Sequence, residues 1–302
     1  MACAACSKEA DDSQPHQLCA RCKQVSYCSK TCQAGHWDAH KGSCKRPNYI
    51  IKFDLCPEAI SDRLRAVIND PVVSRTISCP ATATFHRLHE ALQVAFGWAS
   101  THTYDFNVLD PRFDTTQDED DSQEALMRMI QQSMNGASAS DPREYLLRIK
   151  DDTPDTGMVP RHIDKMHDSR RQHPRTKEKS GPSTKLYQVL DAPEYRNERM
   201  VYTYDFGDRW EHLLTVTGRA PASTKFHCID GSGHGVAEDV VQDGWHVLID
   251  AYRARRPDEE QHEKIHWYET RCSNGDPKGL SNGREHVWEK DAVNMRLSVM
   301  RT

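Results

Sequence analysis

From residue 49 onward, the apolar positions of the chain switch between two periods. A polar stretch over 45–57 contains one alternating apolar run, YIIKF at 49–53, which reads as a strand. Residues 58–69 place Ile60, Leu64 and Val67 on one helical stripe, and Pro71 ends it. Residues 72–79 return to strand-like composition. Thr84 then has the character of an N-cap for a helix over 85–96, whose stripe includes Leu88, Leu92 and Val94, and Gly97 stops it. Residues 103–109 alternate as a strand. Residues 201–206 and 210–216 read as a hairpin turning at Gly207 and Asp208. Tyr202, Tyr204 and Phe206 share one face of the first arm; Trp210, His212, Leu214 and Val216 share a face of the second. Residues 247–254 read as a helix that ends near Pro257.

Two tracts interrupt this pattern. Residues 114–124 carry six acids and no base, and a helix is predicted just after them at 124–134. Residues 161–179 carry seven Lys/Arg against three acids. Both tracts read as solvated insertions.

Residues 1–48 have neither period. They carry seven of the eleven cysteines, and Cys56, Cys79, Cys228 and Cys272 are scattered through the rest. The amino end has no basic n-region and no apolar h-region, so it is not expected to act as a secretory signal. Clustered cysteines without such a signal point to reduced thiolates on metal rather than disulfides, and so to an intracellular protein, nuclear or cytoplasmic. No apolar run approaches the roughly 20 residues needed to span a bilayer, so no membrane partner is expected. The 302 residues, 37% apolar and 28% charged, suit one small module of residues 1–48 and a larger domain of residues 49–302.

The candidate ligands come as four pairs. Cys3 and Cys6 form C-x2-C, and Cys19 and Cys22 repeat it; Cys28 and Cys32 form C-x3-C; His40 and Cys44 form H-x3-C. Two intervening residues suit a tight turn that aims both sulfurs at one ion. Three put two side chains on one face of a helix, one turn apart. Eight ligands fill two tetrahedral Zn²⁺ sites and leave no open position, which marks structural rather than catalytic zinc. His16 and His36 fall outside these four pairs and are expected to face solvent. Residues 1–48 hold seven Lys/Arg and four Asp/Glu. Two divalent ions and seven thiolates bring the module near neutrality, which does not favour nucleic acid as a partner.

The order of these pairs, with Tyr27 before Cys28 and Trp37 three residues before His40, resembles the MYND zinc finger over residues 3–44. The 12-residue gap between Cys6 and Cys19 is slightly long for that family. The resemblance implies a cross-brace: one zinc on Cys3, Cys6, Cys28 and Cys32, the other on Cys19, Cys22, His40 and Cys44. It also implies a docking platform for short, often proline-containing peptides of partner proteins, with Gln33 and Trp37 at positions that line the groove. On that reading the protein is an adaptor. An exposed Trp beside a polar Gln is the kind of pair that anchors a partner.

A second resemblance covers residues 50–300. The blocks TFHRLHEALQVAFGWASTHTYDF (84–106), YTYDFGDRWEHLLTV (202–216) and CIDGSGHGVAEDV (228–240) are similar to the plasmid pRi open-reading-frame-three-like family. Val236 and Ala237 replace the family's Pro-Pro, and VQDG (241–244) replaces a Gly-Gly. The resemblance implies a compact α+β domain, with a mixed or antiparallel sheet and flanking helices. His89, His102, Asp105, Asp205, Asp208, His212, Cys228, Glu238 and Asp239 lie in or near these blocks. They are the candidate residues for an alternative activity, metal-assisted hydrolysis. His212, inside a strand, reads more simply as a half-buried, hydrogen-bonded histidine. Asp205-Phe206-Gly207 spells a kinase DFG without the other kinase motifs; the chain has no GxxxxGK[ST] loop and none of the cofactor motifs of SET-domain methyltransferases.

A module of 44 residues cannot bury enough apolar surface to fold alone, and structural zinc supplies roughly 10–16 kcal/mol to folds of this kind. Chelation is therefore expected to unfold residues 1–44. Limited proteolysis with and without chelator checks this: cleavage should move into the cysteine-rich segment, and an unchanged pattern refutes it.

Overall fold

The computed structural model describes residues 1–11, 15–55, 70–113, 136–152, 168 and 171–300. The helices expected over 58–69 and 124–134, and the acidic tract at 114–124, lie outside these residues.

Residues 1–44 form a small metal-finger layer. Its elements are a two-residue hairpin, β1 (Gln17–Leu18) with β2 (Ser26–Tyr27), and two short helices, α1 (Lys30–Gly35) and α2 (Trp37–His40). Its buried centre holds Cys3, Cys19, Cys22, Tyr27 and Cys44 and little else that is apolar.

The larger part is an α+β fold on one eight-stranded sheet. Along the chain its strands are β3 (Asn48–Leu55), β4 (Ser74–Cys79), β5 (Tyr104–Leu109), β6 (Tyr145–Lys150), β7 (Lys177–Ser180), β8 (Met200–Tyr204), β9 (Trp210–Ala220) and β10 (His227–Ser232). Their order is β10-β4-β3-β9-β8-β5-β6-β7, antiparallel except for the final β6–β7 pair. The period-two alternation of β3 turns Tyr49, Ile51, Phe53 and Leu55 into the core. The helix α3 (Phe85–Phe96) forms as its caps dictate: the Thr84 hydroxyl accepts the Arg87 amide, and Gly97 closes the end at φ +78°. Its buried stripe, with Phe85, Leu88, Leu92 and Phe96, lies on the sheet. His89 Nδ1 and Gln93 Nε2 both meet the Tyr202 hydroxyl, at 2.8 and 3.0 Å, and fix the helix over β8.

A short helix α4 (Tyr187–Leu190) precedes β8; α5 (Val241–Arg253) packs against α6 (Glu259–Thr270); and α7 (Lys290–Val299) packs on β10 and α3. α5 begins at Val241, earlier than periodicity predicts, with the VQDG departure as its first turn. Arg46 leads from finger to sheet: its guanidinium lies 4.0 Å over the Tyr187 ring and bonds Asp191, which Arg219 also holds.

Two expectations from the sequence are corrected. The described part of the 161–179 tract is not simply solvated. Residues 177–180 are an edge strand, and Arg171 reaches the buried Asp105 on β5. Burial alone would raise the Asp105 carboxyl, but the Arg171 and Arg148 guanidiniums, bonded at 2.8 to 2.9 Å, overcome it and hold the acid below its ordinary range. The long, charged side chain is needed inside because a buried carboxylate must be paired.

His212 is fully buried rather than half-buried. The Phe96 ring lies 4.6 Å away, and Nδ1 approaches the carbonyls of Trp210 and Tyr202 at 3.1 and 3.3 Å. Nε2 has no partner among the described residues. Burial pushes this imidazole down to about 3 from 6.5. The unfolded chain thus gains a proton that the folded chain refuses, so this contribution to stability is complete above about pH 6.5 and is lost on acidification toward pH 3. The slope approaches ~1.4 kcal/mol per pH unit. Denaturant unfolding across that range should show the slope, and His212→Phe should remove it; an identical pH dependence in the variant contradicts the assignment.

Candidate functional site

The four sequence pairs of the finger fold into two groups. Each C-x2-C sits in a tight knuckle. Ser7 N donates to Cys3 O at 2.8 Å and Lys23 N to Cys19 O at 2.9 Å. The residue after each second cysteine, Ser7 or Lys23, takes positive φ and turns the chain away. Ser29 caps α1 by accepting the Cys32 amide at 3.1 Å, which presents Cys28 and Cys32 side by side. The helix α2 carries His40 inward.

Donor atoms of Cys3, Cys6, Cys28 and Cys32 lie within 4.8 Å of one another, as do those of Cys19, Cys22, His40 and Cys44. The pairs are interleaved, the first with the third and the second with the fourth. Sulfur separations are 3.6 Å for Cys6–Cys28, 3.5 Å for Cys28–Cys32 and 3.7 Å for Cys19–Cys44; Cys22 Sγ to His40 Nε2 is 3.5 Å. A tetrahedral ion with bonds of about 2.3 Å to sulfur keeps its ligands about 3.8 Å apart, and slightly less where nitrogen replaces sulfur. The groups therefore fit a four-coordinate metal each, with no position left over.

Their electrostatics oppose ionisation of all the thiols at once. The Cys28 backbone draws the Cys3 thiol down to about 6 against burial, while hydrogen bonds with Cys32 and Cys6 push Cys28 up to about 12. In the second group, burial opposes the ionisation of Cys19, yet the Cys22 backbone and His40 bring it to about 6. Cys44 is raised to about 11, first by burial and then by Cys19. Without a metal, one thiolate forms at the expense of its neighbour.

The rival histidines join neither group, but the expectation that they face solvent is corrected: both are half-buried, His36 Nδ1 lies 3.0 Å from the Tyr27 hydroxyl, and His16 Nδ1 is buried. Trp37 packs edge-on to His40 at 6.2 Å, with its side chain 40% exposed, and Gln33 on α1 is half-buried.

The nine candidates of the larger domain do not gather into one centre. His89, Asp105 and His212 are spoken for within the core, as described. Cys228 is buried, and burial raises its thiol to about 11. Glu238 is buried and accepts from Ala99 N, Thr101 Oγ1, the Tyr204 hydroxyl and Ser273 Oγ, all at 2.6 to 3.0 Å. Only His102, Asp205 and Asp239 converge, with donor atoms within 4.8 Å of one another. His102 Nε2 lies 3.4 Å from Asp205 Oδ2 and 3.3 Å from Asp239 Oδ1. Asp205 Oδ1 accepts the amides of Gly207 and Asp208 at 2.8 and 3.2 Å. The β8–β9 turn is thus a five-residue loop held by Asp205 at φ +56°, rather than a two-residue turn at Gly207 and Asp208. Burial raises the Asp205 carboxyl, His102 partly reverses this, and Asp208 adds to it.

Comparison with known proteins finds the Plasmid pRiA4b ORF-3-like protein family over residues 64–282 and the MYND finger over residues 3–44. Among curated proteins, the chain is 25% identical over 182 residues to the "Uncharacterized protein y4hQ" of Sinorhizobium fredii; the match covers 59% of this chain and 65% of that protein's length. Among solved structures, it is similar to the "Protein of Unknown Function MM3350" from Methanosarcina mazei Go1, at 18% identity and TM-score 0.47, covering 80% of this chain and 95% of that one.

If the two groups are closed and interleaved, losing one ligand should empty one group. Cys22→Ser and Cys28→Ser are each expected to bind about one metal equivalent fewer than the unmodified chain, from different sites. Elemental analysis of the purified variants, with Co²⁺ charge-transfer spectra to separate the two donor sets, checks this. Unchanged metal content in either variant contradicts the grouping.

Proposed function

The chain belongs to the plasmid pRiA4b ORF-3-like family and carries a MYND finger ahead of that domain, and from this we propose that it is an intracellular adaptor whose finger holds two structural Zn²⁺ ions and docks short peptide segments of partner proteins. Zinc is the ion that thiolate-rich tetrahedral sets select without redox chemistry. Seven cysteines committed to metal must stay reduced, which fits a reducing compartment. Among the described residues, no helix is long and apolar enough to cross a membrane.

One observation carries the docking reading. Trp37 is a large aromatic side chain fixed on one edge by a metal ligand, His40, and exposed on the other. A rigid aromatic loses little conformational freedom on binding, so it makes an efficient anchor. Gln33, on the neighbouring helix, can supply an amide to a peptide backbone, and a proline-containing segment arrives already extended. The closed coordination of both groups leaves no place for a metal-bound water, so the finger supports recognition rather than catalysis.

Trp37→Ala should weaken binding to the best hits on an array of proline-containing peptides by roughly thirtyfold, the loss typical of an anchoring aromatic. The variant should retain two zinc ions. Unchanged binding with zinc retained overturns the docking surface; loss of zinc shows that Trp37 instead supports the metal core.

A further inference from the structure

We propose that His102, Asp205 and Asp239 form a third metal site, which takes a first-row divalent cation on one imidazole nitrogen and two carboxylate oxygens and leaves its other coordination positions to water. This goes beyond the adaptor reading and does not depend on it.

The first argument is spacing. A four-coordinate ion bound at about 2.0–2.1 Å to nitrogen and oxygen holds its ligand atoms about 3.3–3.4 Å apart. His102 Nε2 stands 3.4 Å from Asp205 Oδ2 and 3.3 Å from Asp239 Oδ1. Both distances exceed a good N–H···O hydrogen bond, which falls near 2.7–3.2 Å. The guanidinium–carboxylate pairs Arg143–Asp110 and Arg148–Asp105 are drawn tighter, at 2.7 and 2.8 Å, whereas the exposed His286 stands farther from its two carboxylates, 3.6 Å from Glu285 and 3.7 Å from Asp70. The finger provides an internal standard: its donor atoms also sit at the separations that an ion would impose.

The second argument is valence. One imidazole nitrogen can donate one proton along one line, yet two carboxylates from different loops aim at it. The contact between His234 and Asp276 has the same length, 3.3 Å, but there a single carboxylate faces the ring and Arg284 completes it. At His102 a cation can serve both carboxylates at once.

The third argument is positioning. The three ligands come from three segments that meet beyond the ends of β5 and β8, and each is held from behind. Asp205 is anchored through Oδ1 by two backbone amides, which leaves Oδ2 for the ion. Glu238 ties the residue before Asp239 to Ala99, Thr101 and Ser273, and so locks the 99–102 and 238–239 segments together. Outer groups that orient first ligands are the usual support of a metal site. Asp205 is 4% exposed, while the Asp239 side chain is 55% exposed, so the site is built on a buried floor and opens to solvent on one side.

The donor set also separates this site from the finger. One nitrogen and two oxygens suit Mn²⁺ as well as Zn²⁺, whereas thiolate sets hold zinc against manganese. The zinc-loaded full-length protein should therefore bind one equivalent of Mn²⁺ without releasing its two zinc ions, counted by native mass spectrometry and elemental analysis. The EPR-detected Mn²⁺ should show nitrogen hyperfine coupling from the imidazole. His102→Gln should abolish that coupling, and Asp239→Asn and Asp205→Asn should each weaken Mn²⁺ binding at least tenfold. Glu260→Gln, a remote exposed acid on α6, should change nothing. If Asp205→Asn fails to fold, the two solvent-side variants carry the test. Absence of bound Mn²⁺, or equal binding in His102→Gln and the unmodified chain, overturns the site.

Discussion

Negative donor atoms can be crowded together only where something positive is shared among them, and this constraint recurs among the described residues. In the finger, seven thiols and an imidazole are gathered into two groups at ion-sized separations. On β5, Asp105 is buried without solvent because two guanidiniums embrace it. At the end of β8, Asp205 and Asp239 converge on one imidazole. The means differ because the supply of positive charge differs. The finger has too few side chains to bring in arginines, so metal must hold it together. The sheet has long side chains on β6 and in the 161–179 tract, so it uses those.

Local periodicity and local spacing were legible in the chain; long-range meetings were not. The helix over 85–96 was readable to its last residue because both caps are local chemistry, Thr84 at one end and Gly97 at the other. The strands around 49–53, 103–109 and 201–216 follow from alternation, and the one within 72–79 from composition. The cysteine pairs were readable because each is closed by a turn of two or three residues. Which pair shares an ion with which was implied only by the resemblance, since it depends on how the β1–β2 hairpin and α1 pack. Arg171 was misread with its neighbours for the same reason: composition marks a charged tract as wet, and only the tertiary position of Asp105 shows where one of its arginines must go. His212 was read as half-buried because alternation assigns a residue to a face and does not say whether that face is covered, here by Phe96 and Trp98.

The two kinds of metal chemistry in the molecule stand at opposite limits. Four protein ligands per ion make a closed finger site rigid and inert, which suits the proposed docking surface around Trp37. Three ligands on a half-open floor leave coordination positions for exchangeable groups. The closed sites are expected to stabilise a module too small to fold on its apolar surface. The open one sits on a domain that already has a core of more than thirty buried apolar side chains, so its ion is not needed for folding and is free to exchange.

The backbone at the third site is strained. Asp205 and Asp239 both occupy positive φ, at +56° and +61°, where a residue with a side chain is held only by its surroundings. Asparagine and aspartate reach this region most readily because their short polar side chains bond the nearby backbone, and Asp205 does so through Gly207 and Asp208. A glycine would relax either backbone at once, but it would bring no carboxylate. The turn is thus built so that the same side chain that makes the left-handed conformation tolerable also presents its second oxygen outward, while Glu238, buried and bonded four ways, anchors the segment that carries Asp239. Two neighbouring loops thus accept left-handed backbone geometry and point an acid at the same imidazole, which is the arrangement the proposed third site rests on.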